Sequence, residues 1–282
     1  LHGIVEAHPR RVPTDTLGPV TTRPPVPVRP ELVGFDAKPY RHRLGLRSVP
    51  LTAWLGRDAA APFDLAEKQQ RLATEPERVR FEGPSQVEGV VASALGTQDL
   101  LGGALSVQED IVVLHRSSAG WLFVAGLVCF PSSWEPREKV GLPVLAIHDP
   151  VPDYAEEIGQ AVDRFLDRLD LDDVRWRRNW SLTTSPDLWL EPGRPEAPVA
   201  DVGREVWLRI ERQTFRRVAP DVIVFGIRIH LWPIGAALDA PSAAGLAHKI
   251  RTASPAFRAY KEMLATHTDQ LLAWLDDRAN GA

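Results

Sequence analysis

The sequence predicts an α+β domain: a mostly antiparallel sheet flanked by helices toward both ends of the chain. Three observations carry this. Helical periodicity comes first, at Phe63 to Thr74 and Gln86 to Leu95. Short runs rich in Val, Leu, Ile and Phe fill the middle, and helical spacing returns at Ala243 to Ile250 and Pro255 to Leu275. In order, residues 1–35 carry Pro24, Pro25, Pro27 and Pro30, which remove amide donors and disfavour helix, so they are expected as an extended arm ahead of one domain spanning 36–282. In the two helices that follow, apolar residues fall three and four apart, which places both on the surface with one face inward. Ile111 to Leu114, Trp121 to Phe130 and Val144 to Ile147 read as strands, with Ser117 to Gly120 as a turn between the first two. Asp153 to Leu169 reads as a helix whose buried face is Ile158, Val162, Phe165 and Leu169, with acidic residues in its first turn. Trp207 to Arg217 and Val222 to Leu231 read as strands joined by the short Arg217 to Asp221 connection, an antiparallel hairpin. For the last helix, the expected buried stripe is Tyr260, Met263, Leu264, Leu271 and Trp274.

At 282 residues and 44% hydrophobic, the chain can bury a substantial core in one or two domains. A formal net charge of -4 and a pI near 6.1 lack the basic footprint of a nucleic-acid binder. Cys129 is the single cysteine, so no disulfide or multi-thiolate cluster can form within the chain. The longest apolar stretch, Trp121 to Phe130, is too short to cross a bilayer, and no secretory pattern is visible, so a cytoplasmic protein without membrane partners is expected.

No P-loop, Rossmann glycine fingerprint, HExxH helix or GxSxG elbow occurs. Instead, three segments interrupt the apolar pattern with aromatic and charged residues. In Cys129 to Tyr154, His148 ends an apolar run just before Asp149-Pro150-Val151-Pro152. A neutral imidazole there is a reasonable iron ligand, while spacing alone favours a strand-end histidine bonded to nearby backbone. Cys129, inside Leu127 to Phe130, reads as a buried structural thiol rather than a thiolate ligand. Arg175 to Leu182 is either an anion site or a solvated basic turn over packed tryptophans. Arg209 to Arg217 sets Arg209, Glu211 and Gln213 on one strand face and Ile210, Arg212 and Thr214 on the other. Glu211 can hold an ammonium there, or simply neutralise neighbouring arginines.

Taken together, these segments resemble a known family, the catalytic α-subunit of haem-dependent oxidative N-demethylase and its relatives. The matching residues are Val107-Gln108-Glu109-Asp110, Phe130-Pro131-Ser132-Ser133-Trp134, Glu138-Lys139-Val140-Gly141, Ile147 to Pro152, Arg178 to Leu182 and Arg209 to Thr214. Gly45-Leu46-Arg47 and Tyr260-Lys261 also fit, so the resemblance spans about residues 41 to 275. It implies a PAS-like sheet holding haem b, with His148 as axial ligand, Arg178 and Glu211 on the substrate side, and Arg212 and Lys139 meeting propionates. Asp149 stands where relatives tend to carry a small residue, and a carboxylate beside the ligand is expected to raise its basicity. The long proline-rich arm is a second departure from the pattern.

The implied activity is oxidation of the N-methyl group of a small secondary or methylated amine, with O2 as oxidant and formaldehyde as product. The sequence carries no flavin or nicotinamide fingerprint and lacks the cysteines of an iron-sulfur cluster, so electrons are expected from a separate reductase. The competing class is a non-catalytic haem sensor, which would need an output domain that the stretch after Leu275 is too short to provide. A third reading is an interaction subunit that binds another small molecule and no haem.

Overall fold

A computed structural model describes residues 23–281. Its centre is a seven-stranded sheet built from β1 (Arg47–Ser48), β2 (Arg80–Phe81), β3 (Asp110–Ser117), β4 (Gly120–Leu127), β5 (Val174–Thr183), β6 (Trp207–Ala219) and β7 (Val222–Pro233). The order is β1-β5-β6-β7-β3-β4-β2, and every pairing is antiparallel. With helices on both sides, this is the α+β class that the sequence predicts.

Hairpins organise the sheet. The predicted β6–β7 hairpin turns at Pro220 and Asp221, with a register shift between Arg217 and Ala219. β3 and β4 meet through a two-residue turn in which the Ser117 hydroxyl accepts the Ala119 amide and donates to the Gly120 carbonyl. The predicted strand Trp121 to Phe130 leaves the ladder after Leu127. The Cys129 and Phe130 amides instead donate to the buried Asp110 carboxylate, at 2.9 and 2.7 Å. Cys129 is buried, as its apolar neighbours predict.

Three predicted elements differ. Val144–Ile147 is one helical turn, not a strand: Pro143 starts it and accepts the Ile147 amide at 3.0 Å, and a four-residue apolar run carries no periodicity to tell strand from helix. Arg175 to Leu182 is not a turn but most of β5, in which Trp176, Arg178, Trp180 and Leu182 alternate with Arg175, Arg177, Asn179 and Ser181. The long C-terminal helix breaks where Lys261 is extended, giving Pro255–Tyr260 and Glu262–Ala279 with a kink at His267. That break turns Tyr260 outward to 42% exposure, so it leaves the buried stripe, whereas Met263, Leu264 and Leu271 stay in it. The helix predicted over Asp153 to Leu169 forms as a π-helical turn, Ala155–Gly159, running into Gln160–Arg168.

Helix Ala61–Thr74 is less of a surface element than its periodicity predicts. Asp64 and Lys68 are fully buried on it. Lys68 donates to the carbonyls of Ala104, Val107 and Glu109, and Asp64 accepts from Arg23, Gln108 and Arg228, so neither charge is left alone.

Most of the proline-rich arm, residues 1–22, lies outside the described residues. From Arg23 onward the chain packs onto the sheet, where the carbonyl of buried Val26 accepts from the Trp232 indole, and Leu32, Val33 and Phe35 share a core with the C-terminal helices. Contact is closest at Gly245 of helix Ala240–Thr252, where a Cβ would stand 2.1 Å from the Phe35 carbonyl oxygen. Among the described residues, no helix is long and apolar enough to cross a membrane.

Candidate functional site

The β5–β6 register decides which functional side chains can meet. Asn179 lies opposite Glu211, and Arg178 opposite Arg212. Because successive residues point to opposite faces, Glu211, Asn179, Gln213 and Arg177 share one face, and Arg178 and Arg212 the other.

On the Glu211 face the turn Val144–Ile147 places His148 at its C-terminal end. The His148 Nδ1 sits 2.8 Å from the Val144 carbonyl oxygen. A carbonyl only accepts, so Nδ1 carries the proton and Nε2 keeps a free lone pair. The ring stacks on Tyr154, with centroids 4.2 Å apart and planes 5° from parallel. Burial pushes the His148 pKa below its ordinary value against the opposing Val144 bond; Arg177 and Lys139 add to the lowering, and Glu211 opposes it. The imidazole is therefore neutral, oriented and unprotonated at Nε2, the state that binds a metal. Asp149 is exposed and does not provide the expected support; the Val144 carbonyl does.

Glu211 is held by neutral donors. The Ser132 hydroxyl donates to it at 2.5 Å, the Gln213 amide at 2.8 Å and the Asn179 amide at 3.4 Å. Ser132 in turn accepts from Nε of Arg209 at 2.8 Å, while Arg209 itself is fully buried and donates to the carbonyls of Phe130, Asp187 and Leu188. A buried cation, a hydroxyl and a carboxylate thus form one chain, with the carboxylate at its open end.

Two further cations reach this face. Arg177 makes no hydrogen bond or ion pair among the described residues, and its Nε is a fully buried donor without a partner. Burial pushes its pKa down, opposed by Tyr154, Glu211 and Tyr40. Lys261 is likewise desolvated, with Glu211 the one charge opposing the effect; its ammonium lies 5.3 Å from the Tyr260 ring centre and 5.7 Å from that of Phe257, and makes no hydrogen bond among the described residues. His148, Arg177, Glu211 and Lys261 are all partly exposed, and Glu211 is a charge common to the surroundings of the other three. Tyr40 lies 4.2 Å from Phe257 with the rings tilted by 31°, and the His42 Nε2 is 2.8 Å from the Pro152 carbonyl oxygen while its amide donates to Glu157.

Of the residues predicted from sequence, the structure brings His148 and Glu211 together, with Lys139 in electrostatic reach of His148. Arg178 and Arg212 are placed elsewhere, a correction to both expected roles. Arg178 donates to the Leu32 and Gly34 carbonyls and lies 4.7 Å over the Phe35 ring; Arg212 donates to the carbonyls of Ala53 and Trp54. Both guanidiniums are occupied in holding backbone on the far face. Arg177 and Lys261 are instead the cations whose surroundings include Glu211. The first was legible as the residue in strand phase with Glu211, had Arg175 to Leu182 been read as a strand. Nothing in the local pattern around Lys261 marks it.

No group of three or more His, Cys, Asp or Glu side chains that could hold a bare ion occurs among the described residues. An iron porphyrin brings most of its iron's ligands and needs no such group, and the unpartnered Arg177 Nε is a donor of the kind its acidic edge can take. Residues 62–271 match the family described as haem-dependent oxidative N-demethylase, alpha subunit-like. The chain belongs to that family. His148, Arg177, Glu211 and Lys261 all fall within the matched span, whereas Tyr40 and His42 precede it. Membership in this haem-dependent oxidative N-demethylase alpha-subunit-like family supports haem as the cofactor, and an alpha subunit implies a further subunit.

Proposed function

We propose that the chain carries haem b and catalyses oxidative N-demethylation of a small secondary or methylated amine, drawing electrons from a partner reductase and releasing formaldehyde. The observation that carries this reading is the free Nε2 of His148, fixed in its tautomer by Val144 and lying in electrostatic reach of the Glu211 carboxylate in a haem-dependent family. Bound haem supplies the redox-active iron for a net change in which an N-methyl group, O2, two electrons and two protons become N–H, formaldehyde and water.

The chain's own residues supply position and charge. His148 would hold the haem iron through Nε2, and Tyr154 with Val144 fixes the plane and tilt of its ring. Glu211, anchored through Ser132, Asn179 and Gln213, presents a carboxylate to an alkylammonium. Lys139 adds positive charge at the His148 side, where a propionate can meet it.

The test is spectral and then chemical. Haem-reconstituted protein is expected to show a Soret band that His148→Ala abolishes or converts to that of loosely bound haem. With reductant, O2 and a panel of methylamines, the wild type is expected to release formaldehyde. An unchanged spectrum in His148→Ala rejects the ligand; a haem protein that releases no formaldehyde from any methylamine rejects the enzyme reading in favour of a sensor.

A further inference from the structure

One hydrogen bond fixes a point on an imidazole and leaves the ring free to turn about that bond. For His148 the bond to Val144 is that point, and the Tyr154 ring stacked 4.2 Å away removes the rotation. Tyr154 closes the loop that His148 opens: the Val151 amide donates to the His148 carbonyl at 2.8 Å, and the Tyr154 amide to the Val151 carbonyl at 3.3 Å. Just before Tyr154, Asp153 is left-handed at φ 64°, a conformation that a residue other than glycine keeps only where its surroundings hold it. Two side chains distant in the chain do so. Ser254 donates to the Asp153 carboxylate at 2.6 Å, and the His42 Nε2 lies 2.8 Å from the Pro152 carbonyl oxygen, which only accepts, so that nitrogen carries a proton. The His42 ring also meets Tyr154 edge-on, with centroids 6.0 Å and planes 69° apart. His42 is itself tied down: its amide donates to Glu157 at 2.6 Å, and the Tyr40 hydroxyl stands 3.5 Å from its Nδ1. Tyr40 in turn donates its amide to the Thr252 hydroxyl at 2.9 Å.

We propose that His42 is a positioning residue for His148. By holding the Pro152 carbonyl and the edge of Tyr154, it keeps Tyr154 stacked on the ligand ring and so sets the direction of Nε2, without touching that ring's hydrogen bond. His42 precedes residues 62–271, the span that matches the family, so this support comes from a segment outside the matched pattern. The inference rests on the haem reading above, and its first measurement uses no haem.

Proton NMR of the ligand-free, full-length protein tests this, because the ring current of a stacked tyrosine moves the carbon-bound protons of His148 upfield. Wild type is expected to show that shift. His42→Phe, which keeps a ring beside Tyr154 but cannot donate to Pro152, should lose most of it, and His42→Gln, whose amide can donate to the same carbonyl, should recover it. Haem affinity, read by titration of the Soret band, should fall about tenfold in His42→Phe and return in His42→Gln, the scale on which partners that orient a metal ligand act. Tyr154→Leu should show the same loss, and adding His42→Phe to it no further loss, since both act through one stack. A wild-type His148 without the upfield shift overturns the proposal, as does a His42→Phe variant that keeps either the shift or full haem affinity. Loss that His42→Gln does not restore overturns it too, because general damage to the fold would look that way. Should His42→Phe fail to fold, Tyr154→Leu is compared with Tyr154→Phe, which keeps the stack, and equal haem affinity in the two overturns the proposal. A protein that binds haem through an unmoved His148 ring in every variant loses this assignment and keeps the haem reading. One whose ring shift follows His42 but which takes up no haem keeps His42 as the support of His148 and loses the haem reading.

Discussion

His230 offers a quantitative test of how burial governs this fold. It lies on β7 opposite Ile210, buried to 3% exposure, with both ring nitrogens lacking partners and its ring stacked 5.4 Å from Trp232. Burial, reinforced by Arg228, Arg29 and Arg212 and opposed by Asp58, pushes its pKa down to about 3 from the ordinary value of 6.5. The sign follows from linkage. Below pH 6.5 the unfolded chain takes up a proton at this histidine that the folded chain refuses, so its contribution is intact above 6.5 and lost as pH falls toward 3. Each unit is worth about 1.4 kcal/mol, which gives a loss of roughly 2 kcal/mol at pH 5 and an upper bound near 5 kcal/mol approached only at about pH 3. His230→Phe keeps the flat ring beside Trp232 and removes the titration together with two unsatisfied nitrogens. Urea unfolding of wild type and variant from pH 8 to pH 4.5 should therefore diverge, with the variant gaining about 2 kcal/mol more over the wild type at pH 5 than at pH 8. Groups that titrate alike in both proteins cancel in the difference. Curves that run parallel across that window would refute the claim that this histidine stays neutral when folded.

Other consequences follow from the site and the arm. Glu211→Gln keeps the neighbouring donors but loses the charge, so the Soret band should be unchanged while KM for the amine rises about tenfold, the difference between a charge-assisted and a neutral hydrogen bond; an unaltered KM removes Glu211 from substrate binding. Arg178→Met severs two bonds to the 32–34 carbonyls and the stack on Phe35, and should cost about 2–3 kcal/mol of stability and speed proteolysis near residues 30–36. Its haem spectrum should match the wild type, and a shifted Soret band would return Arg178 to the haem site.

Much of the architecture is written locally in the sequence. Periodicity and turn chemistry determine the β6–β7 hairpin, the helices near residues 61–95 and the C-terminal helices, because each depends on neighbours a few positions away. His148 and Glu211 were also legible, through motifs whose spacing survives the fold. Other features depend on partners distant in the chain. β5 looked like a basic turn because arginines lie on both its faces, and on one of them Arg178 is received by carbonyls of the arm, partners distant in the chain. The sequence could not choose between Arg177 and Arg178, adjacent residues of one kind; the pairing of Asn179 with Glu211 chose, since a shift of one position moves a side chain through the sheet. Lys261 comes within reach of Glu211 beside the break in the last helix, and the lone pair on His148 Nε2 is free because a one-turn helix aims the Val144 carbonyl at Nδ1. Charge balance in a buried space depends on what packs around it, and that is decided by the assembled fold.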